Sequence, residues 1–170
     1  MKEIILPKGI ITLVDADKYD ELMQYEWRAQ SLYAITGKHV IYVVRRANKS
    51  KDITSMAMHR YLMQPKGNQC VDHINRNGLD NRLCNLRLCT QAYNALNTAK
   101  QLSSNGCACT SKYKGVTYDK RTFKWRARIT HQGKYYNLGS FLSELDAALA
   151  YNYAAEEFFG EFAFLNDVNI

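Results

Sequence analysis

The chain has 170 residues, of which 46% are apolar and 23% are charged, proportions that are typical of a folded globular protein and not of a disordered one. This length allows one ordinary domain or two or three small ones. The net charge of +7 favours an acidic partner, such as nucleic acid or an anionic membrane surface. No apolar run is long enough to span a bilayer and no secretory pattern opens the chain, so we expect a soluble, cytoplasmic protein.

Residues 1–54 predict a small antiparallel sheet with one helix. Four segments are rich in β-branched and aromatic side chains and predict its strands: residues 4–6, 10–14, 32–35 and 40–46. The last two flank a Thr-Gly-Lys turn, which is typical of a hairpin. Asp15 and Asp17 predict the cap of a helix that runs to about Gln30. The candidates for its buried side are Tyr19, Leu22, Met23, Tyr25 and Trp27.

Basic residues cluster after the predicted hairpin: Arg45, Arg46, Lys49, Lys51, Arg60 and Lys66. Only Asp52 opposes them. Such a cluster forms either a solvated face or a track for phosphate groups. We favour the phosphate track because of the motif that follows in the chain, and we take Arg45 and Arg46 as its candidate DNA-binding residues.

One stretch in the middle of the chain can bring four polar side chains together. Asp72 and His73 end a short apolar run, a loop rich in Asn, Asp and Gly follows, and a second short run precedes a helix that opens at Thr90. Thr90 is a good N-cap, because its hydroxyl satisfies a first-turn N–H. A strand, a loop, a strand and a helix in this order can gather Asp72, His73, Asn85 and Asn94 around one point.

These residue types suit the hydrolysis of a phosphodiester with one hard metal ion. Asp72 can supply an anionic oxygen ligand and Asn94 a neutral one, a weak site that suits Mg²⁺ or Mn²⁺ better than Zn²⁺. His73, with an ordinary pKa of about 6.5, can take a proton from water, and Asn85 can hold its imidazole in orientation. The alternative is that these Asn and Asp residues are ordinary turn formers and that His73 has no chemical role.

The pattern Asp-His, an Asn twelve residues after the His and a second Asn nine residues later resembles the HNH endonuclease motif. It is most similar to the variant of phage and intron homing endonucleases. The resemblance implies a ββα-metal nuclease core, with His73 as general base, Asp72 and Asn94 as metal ligands and Asn85 as the residue that positions His73. His59 lies in an upstream segment that such enzymes also carry, and we expect it to pack rather than to act in catalysis.

Residues 99–111 are small and polar and are interpreted as a linker. Three alternating segments after it predict a three-stranded antiparallel sheet: residues 113–118, 124–130 and 134–138. A helix is predicted from Ser143 or Glu144 to about Phe159, with alanines that let it lie close on the sheet.

Charge divides sharply within this last part of the chain. Residues 100–135 carry nine Lys and Arg against Asp119 alone, whereas residues 141–170 carry six acids and no Lys or Arg. This polarity favours a sheet that faces DNA and a helix that faces away from it.

Residues 111–166 resemble the APETALA2/ethylene-response-factor DNA-binding domain of plants, through the segments YKGV, KWRA and LGSF and an alanine-rich helix. The resemblance implies that the sheet enters the major groove. Its candidate groove-facing residues are Lys114, Thr117, Asp119, Arg128, Thr130, Tyr135 and Asn137. The candidates for phosphate contacts are Lys112, Lys120, Arg121 and Arg126. The plant domains carry Arg at several groove positions, so only the docking mode is carried over, and Trp125 is expected to pack.

Five cysteines are present: Cys70, Cys84, Cys89, Cys107 and Cys109. An odd number without a secretory signal argues against a disulfide framework. The spacing lacks the C-x-x-C pairs of most structural zinc sites, so we expect free thiols.

Together these features predict an α+β protein in four parts: residues 1–54, a nuclease core at 55–98, a linker at 99–111 and a DNA-binding domain at 112–170. We expect a site-specific homing endonuclease that hydrolyses double-stranded DNA with one divalent metal ion and nicks one strand as a monomer. A non-catalytic repressor or transcription factor is the alternative. An RNA-binding protein is a third, weaker hypothesis, because the predicted sheets lack an obvious pair of base-stacking aromatics.

Overall fold

The computed structural model describes residues 1–33, 39–46, 55–98, 100, 103–104, 107–108 and 110–168 of the protein. They form two compact units, Met1–Ala95 and Leu96–Ile170. Helices and antiparallel sheets occur in both, which confirms the predicted α+β class. Within the described residues, no helix is long and apolar enough to cross a membrane.

Three separate antiparallel sheets form the first unit, with strands β1–β2, β3–β4–β5 and β6–β7 as neighbours. The strands are β1 (Lys2–Ile5), β2 (Ile11–Val14), β3 (Trp27–Tyr33), β4 (His39–Arg45), β5 (Met56–Ala57), β6 (Cys70–His73) and β7 (Leu86–Cys89). The helices are α1 (Tyr19–Leu22), α2 (Met58–Met63) and α3 (Gln91–Leu96), and α3 ends at the boundary between the units.

The core of the first unit draws one or two apolar side chains from each of several elements. Its buried members are Ile4, Leu6, Val14, Leu22, Trp27, Val43 and Met58. The indole N–H of Trp27 donates to the carbonyl oxygen of Leu22 at 2.7 Å. This bond joins the end of α1 to the start of β3.

The prediction of a helix that runs to Gln30 is wrong beyond Leu22. Trp27 begins β3, which pairs with β4 from Trp27 opposite Arg45 to the ends of both strands. This cross-strand pairing overrides the helical pattern of the local sequence, because strand formation depends on tertiary context. Of the candidate buried residues, Leu22 and Trp27 are buried but Met23 is exposed. The turn predicted at 36–38 lies outside the described residues.

The middle of the chain has the predicted order of strand, loop, strand and helix. β6 pairs antiparallel with β7, and α3 follows β7 directly. Thr90 caps α3: its hydroxyl accepts from the N–H of Tyr93 at 3.3 Å, and its carbonyl accepts from the N–H of Asn94 at 2.9 Å. The helix is only six residues long.

The second unit consists of a short ladder, a three-stranded sheet and one long helix. Its elements are β8 (Ser103–Ser104), β9 (Cys107–Ala108), β10 (Val116–Asp119), β11 (Lys124–His131), β12 (Lys134–Phe141) and α4 (Glu144–Phe159). β8 pairs with β9, so the predicted linker is not devoid of structure. Composition gives no sign of this ladder, because only two residues of each strand take part.

Helix α4 packs on the β10–β12 sheet through small residues, as the sequence predicts. Ser143 caps it by accepting from the N–H groups of Leu145 and Asp146. Buried alanines and one valine form the contact: Val116, Ala127, Ala147, Ala148, Ala154 and Ala155. Trp125 packs against this core, with its ring centroid 4.9 Å from that of Tyr118, which agrees with its predicted packing role.

Gly115, immediately before β10, marks a very close approach between sheet and helix. Its φ is +77°, and a Cβ there would lie 2.0 Å from Cδ2 of Tyr151 and 2.7 Å from the carbonyl oxygen of Arg128. We expect Gly115→Ala to destabilise the second unit by about 2–4 kcal/mol, because overpacking adds to the cost of a left-handed alanine. Urea unfolding measures this loss.

Gly133→Ala is the matched control for Gly115→Ala. Gly133 also has a positive φ, +75°, but nothing lies within 4 Å of an added Cβ. Gly133→Ala should lower the free energy of unfolding only by the cost of a left-handed alanine, about 1–2 kcal/mol. Equal losses in the two variants would contradict the close approach at Gly115.

Candidate active site

The register of β6 and β7 sets Asp72 directly opposite Arg87. The guanidinium donates twice to Oδ2 of Asp72, from Nε at 2.9 Å and from Nη2 at 2.6 Å. Both side chains are more than nine-tenths buried. A buried carboxylate needs such a partner, because an uncompensated charge in the interior is strongly destabilising. Arg87 therefore fixes the position of the Asp72 carboxylate.

His73 follows Asp72 as the last residue of β6, and the charge of Asp72 acts on its imidazole. Its buried ring packs against two others, with centroids 5.0 Å from that of His59 and 5.9 Å from that of Tyr42. Burial lowers the pKa of His73, although a hydrogen bond to Asn81 and nearby carboxylates act in the opposite direction. A lowered pKa keeps the imidazole neutral at pH 7, the state in which it can accept a proton.

Asn81 determines which ring nitrogen of His73 carries the proton. The amide Nδ2 of Asn81 donates to Oγ1 of Thr12 at 3.0 Å and to the carbonyl oxygen of Gly78 at 3.3 Å. These two acceptors fix the amide orientation, and Oδ1 lies 3.4 Å from Nε2 of His73. Because this oxygen can only accept, the contact favours the neutral tautomer with the hydrogen on Nε2. Nδ1 is therefore the basic nitrogen.

The loop that carries Asn81 is docked on β2. The N–H of Asn81 donates to the carbonyl of Leu13, and the N–H of Leu13 donates to the carbonyl of Leu79, both at 2.9 Å. The hydroxyl of Thr12 donates to the same Leu79 carbonyl at 2.7 Å. Sequence reasoning missed Asn81 and Thr12, because they are 69 residues apart and Asn81 stands in a stretch of turn formers. The one available signal was a threonine inside an apolar strand.

Asn85 closes the same loop at its base. Its Oδ1 accepts from the N–H of Asn75 at 2.9 Å, and its Nδ2 donates to Oδ1 of Asn75 at 3.0 Å and to the carbonyl of Asp80 at 2.8 Å. These contacts belong to the loop and not to the imidazole that Asn85 was predicted to orient. Asn85 therefore stabilises the loop that holds Asn81.

Asn94 lies one turn into α3, the helix that follows β7, and Asp72 lies on the neighbouring strand β6. The thiol of Cys89, which forms no disulfide, lies near both. Burial and the charge of Asp72 raise the pKa of Cys89, whereas a hydrogen bond from the backbone N–H of Asn94 lowers it. The contacts of this one thiol place the Asp72 carboxylate and the start of α3 in one neighbourhood.

The donor set in this neighbourhood fits a hard divalent cation. Asp72 and Asn94 present oxygens, the ligands that Mg²⁺ and Mn²⁺ prefer. Both hydrogen bonds from Arg87 fall on Oδ2 of Asp72. Among the described residues, no three His, Cys, Asp or Glu side chains gather into a metal cage. An ion here would therefore need further oxygens from the substrate and from water.

His59 packs beside the candidate base. Its ring centroid lies 5.3 Å from that of Tyr42, in addition to its contact with His73. Within the described part of the chain, its buried Nδ1 has no hydrogen-bond partner. Burial, followed by the neighbouring His73 and Arg60, lowers the pKa of His59 to about 3, so the ring is neutral at pH 7. This is the packing role that the sequence predicts.

The outer face of the β10–β12 sheet brings together most of the predicted DNA-binding residues of the second unit. Its register forms three cross-strand pairs there: Thr117–Arg126, Arg128–Asn137 and Thr130–Tyr135. Ala127 and Ile129, which alternate with them, are buried on the side of α4. Lys112, Lys120 and Arg121 are exposed outside the strands.

Lys114 and Asp119 are engaged within the second unit. So are Arg126, the partner of Asp119, and Asn137, whose Oδ1 accepts from the N–H of Gly139. The ammonium of Lys114 donates to the carbonyl oxygens of Leu96 and Thr98, both at 2.8 Å. The carboxylate of Asp119 accepts from the guanidinium of Arg126 and from groups in the following turn. Lys114 and Asp119 therefore hold local structure, and we do not count them among the proposed groove contacts.

Arg45 is also engaged internally. Only 9% of its surface is exposed, and its guanidinium lies over the rings of Tyr25 and Tyr61, 4.7 Å and 5.5 Å from their centroids. Cation–π contacts of this kind account for a buried arginine without any phosphate. Arg46 is exposed and stays a candidate for phosphate contact.

Comparison with known proteins agrees with this site. Residues 65–96, which contain β6, β7 and α3, match the HNH endonuclease family. The chain is 30% identical over 169 residues to an HNH endonuclease of Acanthamoeba polyphaga mimivirus. That alignment covers 95% of this chain and 78% of the viral protein. The chain is also 37% identical over 100 residues to Protein 3.8 of Escherichia phage T7. That alignment covers 58% of this chain and 76% of the phage protein. No solved structure matches the chain significantly.

Fold, motif and relatives together define a nuclease. The chain belongs to the HNH endonuclease family.

His73, which is buried, and His59, which is half-buried with a buried Nδ1, predict a loss of stability in mild acid. Both have lowered pKa values in the folded state, so below about pH 6.5 the unfolded chain binds protons that the folded one does not. Their contribution is fully present above that pH and is lost as the pH falls. We expect the free energy of unfolding to fall between pH 6 and 5 by about 1.4 kcal/mol per pH unit through His59, with a further fall through His73.

His59→Phe tests this expectation, because phenylalanine keeps the ring packing and cannot titrate. Urea unfolding across this pH range gives the free energy of unfolding as a function of pH. For His59→Phe this free energy should fall less steeply than for the wild type, by the contribution of His59. An equally steep fall in the variant would contradict the neutral state of His59.

Proposed function

We propose that the protein is a metal-dependent, site-specific homing endonuclease that nicks one strand of double-stranded DNA as a monomer. The observation that supports this most strongly is His73, a buried imidazole whose Nε2 faces Oδ1 of Asn81. It follows the carboxylate of Asp72 in the chain and lies in the segment that matches the HNH family.

In the proposed reaction, Nδ1 of His73 takes a proton from the attacking water. The water oxygen forms a bond to phosphorus while the bond to the 3′ oxygen breaks, and that oxygen receives a proton from solvent. The products are a 5′-phosphate and a 3′-hydroxyl. With Asp72 and Asn94 as its ligands, Mg²⁺ or Mn²⁺ supplies electrostatic stabilisation of the leaving oxygen. Asn81 keeps the imidazole in the tautomer that leaves Nδ1 basic.

Binding to the duplex is assigned to the outer face of the β10–β12 sheet. The major groove is wide enough for a sheet, and Arg126 and Arg128 are exposed on this face. Lys112, Lys120 and Arg121 are placed to reach phosphates. Since one chain holds one candidate site and two unlike units, we propose that it acts on an asymmetric target.

Cleavage of supercoiled plasmid that carries candidate target DNA tests this function. We expect conversion to open circle with Mg²⁺ or Mn²⁺ and none with EDTA. His73→Ala should slow the conversion by about 10²–10⁴-fold, the usual contribution of a general base, while DNA binding persists.

Asp72→Asn should also abolish cutting, because it removes the one anionic ligand. Since it also leaves the buried guanidinium of Arg87 without its carboxylate, urea unfolding is measured alongside, and the test applies to a variant that is folded under the assay conditions. Asp20→Asn is its matched control: it makes the same chemical change at an exposed position of α1. Binding without cutting in any metal would favour a repressor instead. Linear product from a single event would contradict nicking by a monomer.

A further inference from the structure

The turn between β10 and β11 carries an aromatic side chain that is largely exposed. Asp119 pairs with Lys124 at the ends of the two strands, so the turn consists of residues 120–123. Phe123 is its last residue and is 74% exposed. A large apolar side chain at a hairpin tip contributes nothing to the core of this unit.

The backbone makes the phenylalanine harder to explain as a structural choice. Phe123 has a φ of +56°, in the left-handed region that Gly and Asn adopt more readily than an aromatic residue does. The neighbouring β11–β12 turn needs this conformation at two positions and has Gln132, with φ +48°, and Gly133, with φ +75°, but no aromatic residue there. An exposed Phe in place of Gly or Asn costs stability, so its reason lies outside the fold.

Hydrogen bonds to the carboxylate of Asp119 stabilise the same turn. Asp119 accepts from the N–H of Arg121 at 2.9 Å and from the hydroxyl of Thr122 at 3.0 Å, and it also bonds the guanidinium of Arg126. These bonds lower the pKa of Asp119, so it stays charged at neutral pH. Phe123 is thus presented on a preorganised tip and not on a loose loop.

The charges around the tip indicate what the aromatic ring meets. Lys120, Arg121 and Lys124 are all exposed and flank Phe123 in the chain. A ligand that suits three cations and a bare aromatic ring is a polyanion with planar apolar faces, which describes the phosphates and bases of a nucleic acid. Apolar side chains that insert between base steps unstack and bend duplex DNA in other proteins.

We propose that Phe123 is a stacking wedge that inserts at a base step of duplex DNA, with Lys120, Arg121 and Lys124 on the phosphates beside it. This inference rests on the proposed function, in that it takes DNA as the substrate. It adds a contact from the hairpin tip to those assigned to the sheet face, and it predicts that the bound DNA is bent at the step where the ring enters.

Phe123→Asn is the decisive variant, because asparagine accepts the left-handed backbone and lacks the aromatic face. We expect it to fold at least as stably as the wild type, whereas a structural role for Phe123 would lower the unfolding midpoint. Leu142→Asn is the matched control, since Leu142 is also an exposed apolar residue of this unit, 83% accessible, outside the basic turn.

Full-length protein in EDTA is titrated onto duplexes that it selects from a random pool. Phe123→Asn should weaken binding by about tenfold, the effect of losing one base–aromatic stack, with no change in the salt dependence. Leu142→Asn should bind as the wild type does, and Phe123→Trp should retain affinity. Fluorescence energy transfer between dyes on the two ends of the duplex should show less bending with Phe123→Asn than with the wild type.

Each result decides a separate point. Wild-type affinity and bending in Phe123→Asn would overturn the wedge while leaving DNA binding intact. Failure of the wild type to bind any duplex would overturn the proposed function itself. Binding of the wild type to phosphatidylserine vesicles that is lost in Phe123→Asn, with DNA binding unchanged, would assign the tip to a membrane surface and overturn the proposal.

Discussion

The candidate active site depends on the docking of the 74–85 loop onto strand β2. Leu13 forms one backbone hydrogen bond with Leu79 and one with Asn81. The hydroxyl of Thr12 donates to the carbonyl of Leu79 and accepts from the amide of Asn81. This contact fixes Asn81, and Asn81 fixes the imidazole of His73. The reactive tautomer is therefore a property of the tertiary fold, since the strand that bears His73 does not determine it.

The site is assembled from the buried amides of Asn81 and Asn85 and from two paired carboxylates, Asp72 with Arg87 and Asp80 with Arg82. Asn85 and Asn75 bond to each other and close the loop, and Asp72 is held by Arg87 across the strand pair. Buried polar groups are stable only when their partners are in place, and a satisfied network gives a single geometry. Asp72 and His73 are consecutive residues at the end of β6, and the charge of Asp72 acts on the imidazole.

The sequence predicted the residues of the motif better than their contacts. The Thr90 cap, the three long strands of the second unit and the alanine contact of α4 follow local periodicity and capping, and the structure has them. The helix predicted to Gln30 failed because pairing with β4 decides the state of that segment. Asn81 was missed because its role comes from a strand 69 positions away, and no local pattern carries that information.

The protonation of His73 is the most direct test of this account. A long-range proton–nitrogen correlation spectrum of ¹⁵N-labelled protein near neutral pH distinguishes the two tautomers, and His73→Ala identifies the resonances. We predict a neutral ring with the hydrogen on Nε2 and the lone pair on Nδ1. A hydrogen on Nδ1, or a charged ring at this pH, would contradict the role that we assign to Asn81 and to the docked loop.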